Sequence, residues 1–215
     1  QFPTQRHRER MLSLDKAYGE AEVRTFYARL VKTLGRAELD FVVEPKFDGL
    51  AISLTYEKGQ LVRALTRGNG LEGEDVTANV GRIPGVPREL SAEPGAAWPD
   101  AIEIRGEVYV PCAEFERVNA ERETAGEPLF ANPRNLAAGT LRQRDAQAVV
   151  RRGLRAVFFG ADACEPLTLQ PATQQALHAA FKTWGVPAMP EVWSARGADE
   201  LVRTIETVGR RRAGF

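Results

Sequence analysis

LAISLTYEKGQLVRALTR, residues 50–67, decides the fold. Two runs rich in β-branched and aromatic residues flank Lys58-Gly59. Such a pair of runs around a two-residue turn reads as a β-hairpin. A tight hairpin joins antiparallel neighbours, which argues against a doubly wound parallel sheet. Working outward, DFVVEPKF (40–47) and AIEIRGEVYV (101–110) are strand-like, and LRAVFFGADA (154–163) reads as a buried strand. Helices are predicted at Glu20–Gly35, where Val23, Phe26, Tyr27, Leu30, Val31 and Leu34 recur at helical spacing. CAEFERVNAERETAG, QPATQQALHAAFKTWG and ADELVRTIETVGRRR are three further helical stretches. Asn132-Pro133 suits the cap and first turn of a short helix over NPRNLAAGTLRQ. Residues 1–10 read as irregular, and RGNGLEGEDVTANV (67–80) as a glycine-rich functional loop. The expected class is α+β.

The chain has 215 residues, 43% hydrophobic and 27% charged, as a soluble globular domain requires. Its 29 basic and 29 acidic residues cancel, which excludes a strongly basic arm but not local basic surfaces. No apolar run approaches the roughly 20 residues that span a bilayer. No signal peptide is evident, so the expected location is cytoplasmic. Cys112 and Cys164 lie far apart and read as free thiols in a reducing compartment, with no zinc site. No dinucleotide fingerprint or phosphate-binding P-loop is present. Phe158, Phe159 and Trp184 are expected in the core, and neither His7 nor His178 is assigned a metal.

Only five of the basic residues are lysine, and one of them, Lys46, sits between carboxylates in EPKFDG (44–49). On an extended strand Glu44, Lys46 and Asp48 share a face until the chain turns at Gly49. Burying three charges for structure alone is costly. A lysine becomes a nucleophile only when its neutral amine is favoured, by desolvation, nearby cations or a metal. From these three residues alone, an exposed ion-pair row on an edge strand is the stronger reading.

Four segments in order change that balance: MLSLDKAY (11–18), residues 44–80 around EPKFDG and TRGNGLEGEDVTANV, EIRGEVYV (103–110) and FANPRNLAAGTLRQ (130–143). Together they closely resemble the adenylation domain of bacterial NAD+-dependent DNA ligases. The KxDG element is shared with ATP-dependent ligases and capping enzymes; its combination with the TRG and NPRN segments is specific to the NAD+ group. The resemblance implies a nucleotidyltransferase, ATP-grasp-like fold of antiparallel sheets flanked by helices. It makes Lys46 the nucleophile that takes AMP from NAD+, with Asp48 in support at the lysine or metal. Glu44 is implied to contact the adenine, and Ser13 and Leu14 to line its pocket. Arg67 falls near the ribose and phosphate, and Glu107 at the ribose or metal side. Arg134 and Arg142 are implied to face the phosphates of nicked double-stranded DNA. They are eight positions apart, a little over two turns, so one helix would present both on one side. Mg2+ is the implied metal, with no dedicated protein ligands. The implied enzyme is a monomeric, nucleoid-associated ligase of DNA repair and replication.

Asn69 stands where the family has aspartate, Leu136 where it has alanine, and Thr140 where it has serine. The family's nicotinamide mononucleotide-binding domain would precede these residues. Its DGVVIK motif and its OB-fold, zinc-finger, helix-hairpin-helix and BRCT regions would follow them. Residues 1–215 are therefore expected to be one adenylation domain cut from a longer ligase, weakly active or inactive alone. Arg211 or Arg212 aligns with an arginine just before DGVVIK. Two alternatives are a non-catalytic ligase-like nick-binding module and an ATP-dependent nucleotidyltransferase.

Overall fold

A computed structural model describes residues 2–91 and 97–211; Arg212 lies outside the described residues. The chain divides into two compact units, residues 1–12 with 47–188, and residues 13–46 with 189–215.

The larger unit is built on the predicted hairpin. Strands β3 (Leu50–Glu57) and β4 (Gln60–Thr66) are antiparallel, joined by Lys58 and Gly59 at φ 49° and 77°. Positive φ at both turn residues matches the right-handed twist of the strands. β6 (Ala101–Tyr109) pairs with β3, and β7 (Arg155–Glu165) with β6, giving an all-antiparallel sheet in the order β4-β3-β6-β7. Alternation separates two faces. Ile52, Leu54, Tyr56, Ile102, Ile104 and Val108 point one way and are fully buried. That face packs on α2 (Thr77–Val80), α4 (Pro133–Leu141) and α5 (Gln147–Arg151) through Val80, Leu136, Leu141 and Val149. Gly106 has no side chain because the Phe158 ring, opposite it on β7, fills that position. The other face carries Ser53, Thr55, Glu103 and Glu107, all buried, so a row of polar groups is sequestered there.

α3 (Cys112–Thr124) ends just before Gly126, and α6 (Gln174–Trp184) starts from the Thr173 hydroxyl and ends at left-handed Gly185. Trp184 is in the core with Phe158, whereas Phe159 is half-buried. His178 lies half-buried on α6 and contacts Gln174.

Two stretches expected to be irregular are ordered. Residues Thr4–Arg6 form β1, paired with β5 (Glu72–Glu74) inside the glycine-rich segment. The pairing joins residues about 70 positions apart, and three-residue strands carry no periodicity of their own. The Asp75 carboxylate accepts bonds from the Thr77 amide and hydroxyl, which starts α2.

The smaller unit holds α1 (Glu20–Leu34), β2 (Asp40–Val43), β8 (Trp193–Arg196) and α7 (Gly197–Arg211). α1 stops at Gly35, φ 63°, as its sequence predicts. β2 and β8 are antiparallel, and Phe41 packs on the rings of Phe26 and Tyr27. Arg24 bridges α1 to Asp199 of α7 at 2.7 Å, which holds the Asp199 carboxyl below its ordinary pKa. No described helix is long and apolar enough to cross a membrane.

Candidate active site

The lysine segment is not a strand. β2 ends at Val43, and residues 44–48 have no regular structure. Pro45 supplies no N–H to a ladder, which accounts for the stop. Glu44, Lys46 and Asp48 are therefore not held as one strand face. Glu44 is half-buried, while Lys46 and Asp48 are exposed. The boundary between the two units falls after Lys46: Ser13, Leu14, Glu44 and Lys46 belong to the smaller unit, and Asp48, Arg67, Glu107, Arg134 and Arg142 to the larger. Ser13 and Leu14 lie exposed in a stretch without regular structure.

Immediately after the lysine the chain is fastened to β6. Phe47 packs on Tyr109 with ring centroids 4.6 Å apart, and burial raises the Tyr109 pKa. The Gly49 amide donates to Glu107 Oε1 at 3.1 Å. A Cβ at residue 49 would collide with the Val108 carbonyl oxygen, so glycine is what lets the backbone come this close. Glu107 itself is 8% exposed. Glu107 is thus a buried carboxylate with a backbone donor. Its neighbour in the alternation, Arg105, is bridged to Asp162 at 2.8 Å.

Arg67 directly follows β4 and is exposed. Its backbone is held on three sides: its amide donates to Ala51, and its carbonyl accepts from Gly70 and faces His7 Nε2 at 3.2 Å. Asn69 Oδ1 accepts from the amides of Leu71 and Glu72, both at 2.9 Å. An aspartate oxygen would accept the same two bonds, so asparagine here preserves the turn. The N-terminal segment braces this loop, with His7 donating to Leu71 and Met11 to Gly70. Residues read as an irregular start therefore support the arginine loop.

Asn132 caps α4 by accepting from the Asn135 amide at 2.8 Å, and Pro133 opens the helix, as expected. Arg134 sits in the first turn and pairs with Asp48 at 2.9 Å. Arg142 is not inside the helix but is its C-terminal cap, and pairs with Glu74 at 2.6 Å. Each arginine is thus joined to a carboxylate from another of the recurring segments, Asp48 of EPKFDG and Glu74 of LEGED. Behind α4, Asn119 grips Phe130 by both its amide and its carbonyl. Arg122 and Arg152 lie over the Phe130 ring at 4.7 and 5.3 Å. Burial, then Arg122 and Arg151, lowers the Arg152 pKa. Nothing local in the sequence marks Glu74, Asn79 and Asn119, because their partners are distant: the Arg142 guanidinium for Glu74, and backbone groups for Asn79 and Asn119.

Both cysteines are free; Cys112 is exposed, and burial with the nearby Glu165 raises the Cys164 thiol pKa. Among the described residues no three His, Cys, Asp or Glu side chains gather as a metal site.

In the smaller unit, a lysine amine on an exposed segment is a group of the kind nucleotidyl transfer uses. In the larger unit, arginines at both ends of α4 are of the kind that bind phosphate. The comparisons agree with that class. The model of the NAD-dependent DNA ligase adenylation domain family matches residues 1–215, and the chain belongs to that family. DNA ligase 1 of Opitutus terrae is 51% identical over 214 residues, covering 100% of this chain and 32% of that protein. DNA ligase 2 of the same organism is 48% identical over 215 residues, covering 99% and 30%. The DNA ligase of Novosphingobium aromaticivorans is 44% identical over 212 residues, covering 97% and 29%. The chain spans about a third of the length of these relatives.

Proposed function

We propose that residues 1–215 act as one adenylation domain of a bacterial ligase that seals nicks in double-stranded DNA with NAD+ as AMP donor. The observation that supports this most directly is the family match over the whole chain. Within it, Lys46 is an exposed amine one residue from Phe47, where the chain becomes anchored to β6.

In this reading the Lys46 amine forms a P–N bond to the α-phosphorus of NAD+. The P–O bond to nicotinamide mononucleotide breaks, and the amine proton is lost. The 5′-phosphate of the nick then displaces the lysine and takes the AMP. Attack by the 3′-hydroxyl on that 5′-phosphorus closes the strand and releases AMP. Glu44, Ser13 and Leu14 hold the adenine, and Arg67 and Glu107 the ribose and phosphate. Arg134 and Arg142 exchange their carboxylates for phosphates of the nicked DNA, fork against oxygen.

Mg2+ commonly binds through substrate phosphates and water with only one or two carboxylates. In this reading the cation is carried mainly by phosphates and water, with Asp48 and Glu107 as the carboxylates on offer. Such an ion supplies neutralisation of phosphate charge. The enzyme is proposed to work as a monomer in the cytoplasm, at the nucleoid.

The test is mass spectrometry of the ligase carrying this domain after incubation with NAD+ and Mg2+. A single AMP adduct mapped to Lys46, absent from Lys46→Ala, is expected. An adduct from ATP but not NAD+, or nick sealing by Lys46→Ala, overturns the reading.

A further inference from the structure

Asn79 is a polar side chain only 2% exposed, on α2. Its amide nitrogen donates to two carbonyls, Leu141 O at 2.6 Å and Gln143 O at 2.7 Å. Those are the carbonyls on either side of Arg142. An NH2 group has two hydrogens, and both are used.

The last carbonyls of a helix lack donors from their own helix. α4 ends at Leu141, and the Arg142 and Gln143 amides return only to Ala138 and Thr140. Asn79 supplies the missing donor from another element and holds the chain before and after Arg142. α2 is itself tied to β4: Val76 donates to Ala64 O, and the Ala64 amide donates to the Thr77 hydroxyl at 2.8 Å. A continuous path of bonds therefore runs from the central sheet through Thr77 and Asn79 to the backbone of Arg142. Glu74, just before α2, meets the other end of the arginine at 2.6 Å.

We propose that Asn79 is a positioning residue for the DNA steps of ligation, acting through Arg142. This rests on the proposed function. The geometry separates its effect from lysine adenylylation, because both bonds go to the backbone around Arg142 and none to the lysine segment. An arginine reaching a phosphate on a long, flexible stem depends on where its Cα is held. Misplacement by on the order of 1 Å can cost about 100-fold in rate.

The experiment measures two steps separately in the ligase carrying this domain: AMP adduct formation from NAD+, and sealing of a nick already bearing 5′-AMP. Asn79→Ala is expected to form the adduct within about threefold of wild type while sealing falls roughly 10–100-fold. Arg142→Ala should also lose sealing, and the double variant should seal no worse than Arg142→Ala alone, because the two act as a unit. Equal loss of both steps in Asn79→Ala, or losses that multiply in the double variant, overturns the proposal. Asn79→Ser keeps one hydroxyl donor and should fall between wild type and alanine in sealing. It is the variant to assay if alanine does not fold, and sealing at the wild-type rate would overturn the proposal. A wild-type enzyme that forms no adduct with NAD+ overturns the ligase reading and the Asn79 role together. A wild type that works, with no difference between the steps in the variants, overturns the Asn79 role alone.

Discussion

Replacing Gly49 by alanine tests the anchoring of the lysine segment on β6. A Cβ there would overlap the Val108 carbonyl oxygen and stand 2.8 Å from its carbon and 3.1 Å from the Tyr109 Cα. These are backbone atoms of a central strand, so the lysine segment must give way instead. Withdrawal to an ordinary contact of roughly 3.5 Å breaks the Gly49–Glu107 bond. A hydrogen bond to a charged group contributes about 1.5–3 kcal/mol. Overpacking adds about 1–3 kcal/mol. The expected loss is therefore ~2.5–6 kcal/mol, a large part of a typical stability of about 5–15 kcal/mol. For a chain of this size that is a fall in Tm of roughly 5–24 °C. Urea unfolding followed by circular dichroism measures it, with Gly209→Ala as control. Gly209 lies in α7 with nothing within 4 Å of its added methyl, so alanine there should stabilise by about 1 kcal/mol. A Gly49→Ala protein within about 0.5 kcal/mol of wild type would refute the argument, since neutral surface changes fall in that range.

Two further perturbations follow from the bonds described above. Tyr56 is fully buried and donates to Pro87 O at 2.7 Å, and burial raises its pKa above the ordinary value. The folded state keeps the phenol protonated while the unfolded chain ionises near pH 10, so its contribution is intact below about pH 10 and lost as pH rises further, by about 1.4 kcal/mol per pH unit. Tyr56→Phe should cost about 1 kcal/mol at pH 7 and flatten the alkaline limb of stability against pH; an unchanged limb by urea titration would contradict this. Asn69→Asp should leave stability within about 0.5 kcal/mol, because both turn bonds need only an acceptor, whereas Asn69→Ala should cost about 1–2 kcal/mol. Equal stabilities of the two variants in urea would show that the side-chain acceptor does not hold the turn.

Local pattern was enough wherever the cause is local. The Lys58-Gly59 hairpin, the stop of α1 at Gly35 and the Asn132-Pro133 start of α4 each depend on residues within a few positions, through turn dihedrals or capping bonds. The order of motifs around Lys46 likewise pointed to the family, and the family match over residues 1–215 agrees. Pairing at a distance was not legible. β1 with β5 joins short strands about 70 positions apart, and the helix expected over 132–143 ends at Leu141, one residue before Arg142.

What the sequence by itself determined is the chemistry on offer: one lysine in a KxDG setting, glycine-rich turns, and arginines spaced along a capped helix. What only the tertiary structure decided is the environment of each group. Nothing near Glu107 in the sequence shows that its carboxylate meets the Gly49 amide; the pairing of β3 with β6 brings them together. Asp48 reads as a partner of Lys46 until α4 carries Arg134 to it. Asn79 reads as a loop residue until the end of α4 meets its amide. The reason is common to all three: a hydrogen bond or ion pair acts over about 3–4 Å, and only folding brings residues tens of positions apart within that range.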